Sequence, residues 1–123
     1  ITLLDSKDTI IKKFKKAVTD SEAKVYYGEE KGGINNLMSI YSAVTGKDFD
    51  EIEKEFDGKG YGDFKVAVGE AVAEELRPVR EKFERLISDK AYLEDCYRDG
   101  AEKALKISQR TVDKVYKKLG FIK

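Results

Sequence analysis

An all-α bundle of about five helices is the fold this sequence predicts, and three observations carry it. Apolar residues recur three and four positions apart over long stretches. Charged residues make up 39% of the chain, and there is a single Pro, a mix that favours solvent-coated helices over strands. The longest such periodicity lies in Glu55 to Phe83, where Phe64, Val68, Ala71, Val72, Leu76, Val79 and Phe83 form one apolar face. A loop with Gly58, Gly60 and Gly62 set around Lys59 and Tyr61 precedes it, and glycines so placed let a loop pack closely on its neighbours. Asp63 is the expected cap, and Pro78, inside the pattern, predicts a kink near Leu76–Arg77.

The other elements follow in chain order. Ile1 to Leu4 is a short apolar, strand-like run with no partner strand nearby, which suggests that the chain starts inside a larger protein. A helix runs from Asp5 or Ser6 to Val18, with Ile10, Ile11, Phe14, Ala17 and Val18 inward. Lys12, Lys13, Lys15 and Lys16 flank that stripe as a solvated face whose stems cover apolar surface. Residues 22–33 read as a loop, with Val25, Tyr26 and Tyr27 extended. A second helix spans Ile34 to Val44, with Asn35 and Asn36 able to cap its start and Gly46 ending it. A third, Asp48 to Phe56, buries Phe49, Ile52 and Phe56. After the central helix ends near Ile87–Asp89, a last helix runs from Lys90 to Leu119. Its inner stripe is expected to be Ala101, Ala104, Leu105, Ser108, Val112, Val115 and Leu119, with Cys96 in the core and Gly120 as terminator.

Composition narrows the chemistry. The 123 residues suit one modest core, and 24 basic residues balance 24 acidic ones, so any polyanion surface has to come from local segregation. Histidine is absent, which removes the commonest general base, the Ser-His and Cys-His pairs and the usual zinc ligands. The carboxylates are scattered along amphipathic helices, so neither a catalytic nor a metal-binding residue is assigned. A lone cysteine forbids an internal disulfide and suits a reducing compartment. With no apolar run of membrane-spanning length and no signal-like N-terminus, a cytoplasmic chain without a membrane partner is expected.

Several stretches then line up in order: ITLLD (1–5), KKAVTDSE (15–22), GGINNLMSIYSAVTG (32–46), FDGKGYGDFK (56–65), LRPVREKF (76–83) and DGAEKA (99–104). Together they resemble the C-terminal part of bacterial-type tryptophanyl-tRNA synthetases, class I aminoacyl-tRNA synthetases, over essentially the whole chain. The resemblance implies a connector from a missing nucleotide-binding fold over residues 1–21 and a helical anticodon-binding domain over residues 22–123. It implies a parent ligase that charges tryptophan tRNA using ATP and Mg, as a homodimer formed mainly through the catalytic domain. The HIGH-like and KMSKS motifs of that catalytic domain are absent here. This stretch alone is therefore expected to be inactive, monomeric and free of cofactor, with its own catalytic domain and tryptophan tRNA as partners.

Within that frame the cations become candidates for RNA contact. Lys103, Lys106, Arg110, Lys114 and Lys117 fall on one stripe of the last helix, roughly opposite its apolar face. Between residues 101 and 123 seven cations meet two anions, whereas acids concentrate between 48 and 84. Such segregation suits phosphate neutralisation, and an ordinary solvated face accounts for it equally well. Lys59 and Lys65 at the glycine loop are further candidates for backbone contact, beside a purely structural role of the loop in packing; the loop follows no strand and lacks the GK[ST] ending of a nucleotide-binding loop. Arg77, Arg80, Tyr92 and Tyr97 could meet splayed bases. The alternative role is a helical module that docks on the catalytic domain and binds RNA little by itself.

Overall fold

The structure, a computed structural model, describes residues 1–121, and among them all regular structure is helical. Five helices follow one another: α1 (Lys7–Lys15), α2 (Gly32–Thr45), α3 (Phe49–Glu55), α4 (Tyr61–Ser88) and α5 (Lys90–Leu119). The chain divides into two compact units, residues 1–81 and residue 82 onward.

The first unit holds the buried apolar core. Ile10 and Phe14 of α1, Ile34, Leu37, Met38 and Tyr41 of α2, Ile52 of α3 and Phe64, Val68 and Val72 of α4 all contribute, as the three-four spacing requires. Tyr41, Phe56 and Phe64 meet edge to face with ring centroids 4.9–5.9 Å apart, the arrangement favoured by aromatic quadrupoles. Local chemistry sets the helix ends. The Thr9 amide donates to Ser6 Oγ at the start of α1. Asp48 and Glu51 form a reciprocal capping box at α3, satisfying two amides that the helix itself leaves free. Gly46 closes α2 with φ 74°, a conformation glycine adopts without strain.

Several expectations are corrected here. Ile1 to Leu4 is not strand-like: the Asp5 amide donates to the Thr2 carbonyl and the Thr2 amide to the Asp5 carboxylate, so the segment turns back on itself. α1 stops at Lys15, leaving Val18 88% exposed, because the Ala17 amide closes onto the Phe14 carbonyl and ends the helical ladder. α2 starts two residues early, at Gly32, and Asn35 caps nothing there. Its side-chain oxygen instead accepts from the Gly28 amide, and its amide group donates to the Gly28 carbonyl at 2.6 Å. Asp63 lies in the first turn of α4 rather than at its cap. Pro78 does lie inside α4, as expected, and its missing N–H leaves the preceding turn one backbone hydrogen bond short.

The glycine loop also differs from expectation. A Cβ added at Gly58, Gly60 or Gly62 meets nothing within 4 Å, so these glycines do not serve close packing, and only Gly58 needs its backbone freedom, at φ 74°. Close approach occurs elsewhere. A Cβ on Gly33 would collide with the Val18 carbonyl oxygen, and one on Gly69 would lie 3.0 Å from Ile11 Cα, which is how α4 packs against α1.

In the second unit, α5 begins at an Asp89 cap that accepts from the Tyr92 amide and ends at Gly120 in the left-handed region. Its expected inner stripe is not buried: Leu105 is 60% and Leu119 64% exposed, and no residue of α5 is buried. Cys96 is exposed, not core. Phe83, Val79 and Ile87, continuing the face of α4, are exposed as well. A helix can bury its stripe only against a second element.

Candidate functional site

The most tightly organised polar group in the first unit centres on Lys31, which immediately precedes α2 and is 4% exposed. Its ammonium donates to Tyr61 Oη at 2.8 Å and to the Lys24 carbonyl at 3.1 Å. Carboxylate oxygens of Glu22 and Asp20 lie 2.7 and 3.4 Å away, and the Tyr26 ring centroid 4.1 Å. Burial by itself pulls this ammonium down, but the hydrogen bonds to Glu22 and Tyr61 outweigh it and hold the group above the ordinary lysine range. Tyr61 Oη in turn donates to Asp20 Oδ1 at 2.6 Å. That bond is the main reason the Asp20 carboxyl titrates below its usual value, and burial raises the Tyr61 phenol. Glu22 is lowered chiefly by Lys31 and also accepts from Tyr26 Oη. Every donor of the ammonium is thus used inside the protein, as a buried charge requires.

The clefts around this network carry the wrong sign for RNA phosphate. One of about 390 Å³ is lined by Asp20, Glu22, Glu29 and Glu30 with Lys31 as the one cation, and one of about 610 Å³ by Glu22, Glu53 and Asp57 with Lys24 and Lys54. Among the described residues, no group of three or more His, Cys, Asp or Glu could hold a metal ion.

The candidate cations take different positions. Lys65 Nζ donates to the Ala17 carbonyl at 2.8 Å, and Arg80 donates to the Asp5 carbonyl at 3.0 Å. These two brace the ends of α1. Arg77 is held between Glu74 and Glu81, its nitrogens 2.8 and 3.1 Å from their carboxylates. Lys59 is exposed, with its ammonium 5.1 Å from the Phe56 ring centroid. On α5 all five stripe residues are exposed. Lys103 pairs with Asp99 and Lys106 with Glu102, each one turn back, while Arg110, Lys114 and Lys117 make no ion pair among the described residues. Tyr97 is 71% exposed, and Tyr92 stands beside Cys96. The structure therefore brings together one cationic stripe on α5 and distributes the other candidates singly.

The residues that sequence reading missed are Lys31, Asp20, Glu22 and the hydroxyl of Tyr61. They come from the segments AVTDSE, EEKGG and GKGYG, distant in sequence and joined only by folding.

Among the described residues, then, the chain is all-helical, with a cationic stripe on α5 and a buried polar clasp around Lys31. The profile of the family described as tRNA synthetases class I (W and Y) matches residues 1–77, and this chain belongs to that family. It is similar to the tryptophan–tRNA ligase of Wolinella succinogenes, at 49% identity over 99% of this chain and 37% of that protein. Those of Clostridium perfringens and Clostridium tetani are 46% and 42% identical over the same share of the chain, and over 37% and 36% of their own length. The crystal structure of tryptophanyl-tRNA synthetase from Mycoplasma pneumoniae superposes with TM-score 0.63 at 25% identity, covering 98% of this chain and 37% of that one. The chain thus spans a little over a third of the length of these relatives.

Proposed function

We propose that this chain is the C-terminal helical part of a tryptophan–tRNA ligase and that it positions and recognises the anticodon region of tryptophan tRNA. In this reading the longer protein, a cytoplasmic homodimer, activates tryptophan with ATP and Mg and charges the tRNA. In this reading catalysis belongs to the rest of the longer protein, since this chain contains no histidine and its glycine loop follows a helix rather than a strand. The observation that carries the RNA-binding reading is the α5 stripe, in which Arg110, Lys114 and Lys117 are exposed and without an ion pair among the described residues. Lys103 and Lys106 extend the same stripe, and Lys59 offers a further exposed ammonium. Lys65, Arg77 and Arg80 are proposed as secondary contacts only, since each already serves a carbonyl or carboxylate of the protein.

The test is binding of a tryptophan anticodon stem-loop at two salt concentrations against a loop-scrambled control. Tighter binding to the cognate loop supports base recognition by this chain. Replacing Arg110, Lys114 and Lys117 by Gln should lower the salt slope by roughly two to three. No binding to either RNA at low salt rejects the proposal.

A second reading rests on the apolar face of α5. Leu105, Val112, Val115 and Leu119 stand exposed on one side of a 30-residue helix. Such a face suits docking on the catalytic part of the longer protein. Co-elution with that part supplied in trans, with no RNA binding, favours this reading.

A further inference from the structure

We infer that the solvent face of α1 is a second phosphate-backbone contact, formed by Lys12, Lys15 and Lys16. This rests on the RNA-binding reading above and adds a site on the first unit to the stripe on α5.

The lysines of α1 are not equivalent. Lys13 is committed to Asp5 at 2.6 Å, and Lys7 lies close enough to Glu74 to lower that carboxyl. The side-chain ammoniums of the exposed Lys12, Lys15 and Lys16 make no ion pair or hydrogen bond among the described residues. Positions three and four apart on a helix are surface neighbours, so Lys12, Lys15 and Lys16 present their charge together. Some exposed cations elsewhere are neutralised within a turn, as Arg77, Arg98, Lys103 and Lys106 are, whereas these three are not. A cluster without an ion pair among the described residues, in a chain of zero net charge, is a local excess that a polyanion can use.

The helix beneath is firmly held. Ile10 is fully buried, Phe14 is 5% exposed, and Gly69 of α4 packs directly on Ile11. Arg80 binds the Asp5 carbonyl just before the helix, and Lys65 binds the Ala17 carbonyl just after it. The brace at Ala17 adds a fourth cation at the end where Lys15 and Lys16 sit. A rigid platform costs little further entropy on binding, which favours a contact of this kind. Phosphate rather than base recognition follows from the residue type, since ammonium groups act as point charges on backbone oxygens.

The experiment compares the chain with a Lys12→Gln/Lys15→Gln/Lys16→Gln variant, using full-length tryptophan tRNA transcript across a series of salt concentrations. A contact with three phosphates predicts a slope of log K against log[salt] smaller by about two to three in the variant. A Lys→Arg triple variant should keep the slope, and circular dichroism should show both folded. If the lysines only stabilise the helix terminus, the Gln variant loses thermal stability with the slope unchanged, and the inference is overturned. Loss of binding to anionic vesicles with tRNA binding intact overturns it too. No tRNA binding by the unmodified chain removes the RNA-binding reading and this contact with it, whereas unmodified binding with an unchanged variant slope removes this contact alone.

Discussion

The Lys31 ammonium donates to the Tyr61 hydroxyl at 2.8 Å, tying the residue before α2 to the first residue of α4. Asp20, in the segment between α1 and α2, accepts from the same hydroxyl at 2.6 Å. One phenol therefore links three separate stretches of chain. Tyr61→Phe keeps the ring but removes the acceptor of Lys31 and the donor to Asp20. The variant should lose about 1–3 kcal/mol in urea unfolding. An unchanged midpoint would mean that water replaces the hydroxyl without penalty.

Acid should weaken the fold through three carboxylates. Asp5 is held at about 2 by the hydrogen bond from Lys13, Asp20 is lowered mainly by Tyr61, and Glu22 mainly by Lys31. Each binds its proton less readily folded than unfolded. Their contribution is therefore complete above the ordinary carboxylate range near pH 4 and is lost as pH falls toward 2. Urea midpoints measured from pH 6 to pH 2 should drop along this limb. Asp5→Asn should flatten it between pH 4 and 2, and an equally steep limb in that variant contradicts the assignment.

Two glycines should respond in opposite directions to the same change. In Gly33→Ala the new methyl meets the Val18 carbonyl oxygen, which cannot withdraw without moving backbone. A loss of about 1–3 kcal/mol is expected. Gly62→Ala sits in the first turn of α4 with nothing within 4 Å, so removing glycine's extra freedom should stabilise by up to about 0.5–1 kcal/mol. Thermal unfolding of the two variants decides the signs.

Phe64 is fully buried and touches both Tyr41 and Phe56 edge to face. Phe64→Ala should cost about 3–5 kcal/mol, the range for truncating a buried aromatic. Val79→Ala, at a position 46% exposed, should stay within about 0.5 kcal/mol. Comparable losses in both variants would place the core elsewhere.

The Cys96 thiol is exposed on α5. A thiol reagent should therefore modify it completely in native buffer, at a rate close to that in urea. A rate that rises by orders of magnitude on unfolding would show the side chain covered.

What the sequence determined by itself was local. Periodic apolar spacing predicted five helices with ends within a few residues of those observed, because a helix is specified by neighbours three and four positions away. It also predicted most of the inward residues of the first unit, from Ile10 to Val72, since these meet a facing element, while Val18 beyond the end of α1 does not. The cationic stripe of α5 was readable for the same reason. The tertiary structure alone decided which periodic faces find a partner. The stripes of α4 up to Ala73 and of α5 look alike in sequence, yet the first is buried and the second exposed. It also decided which polar residues meet: Lys31, Asp20 and Tyr61 are 11, 30 and 41 positions apart in pairs, too far for any local pattern to join them. Cations such as Lys65 and Arg80 were likewise assigned only by folding, because the carbonyls they hold lie 48 and 75 residues away.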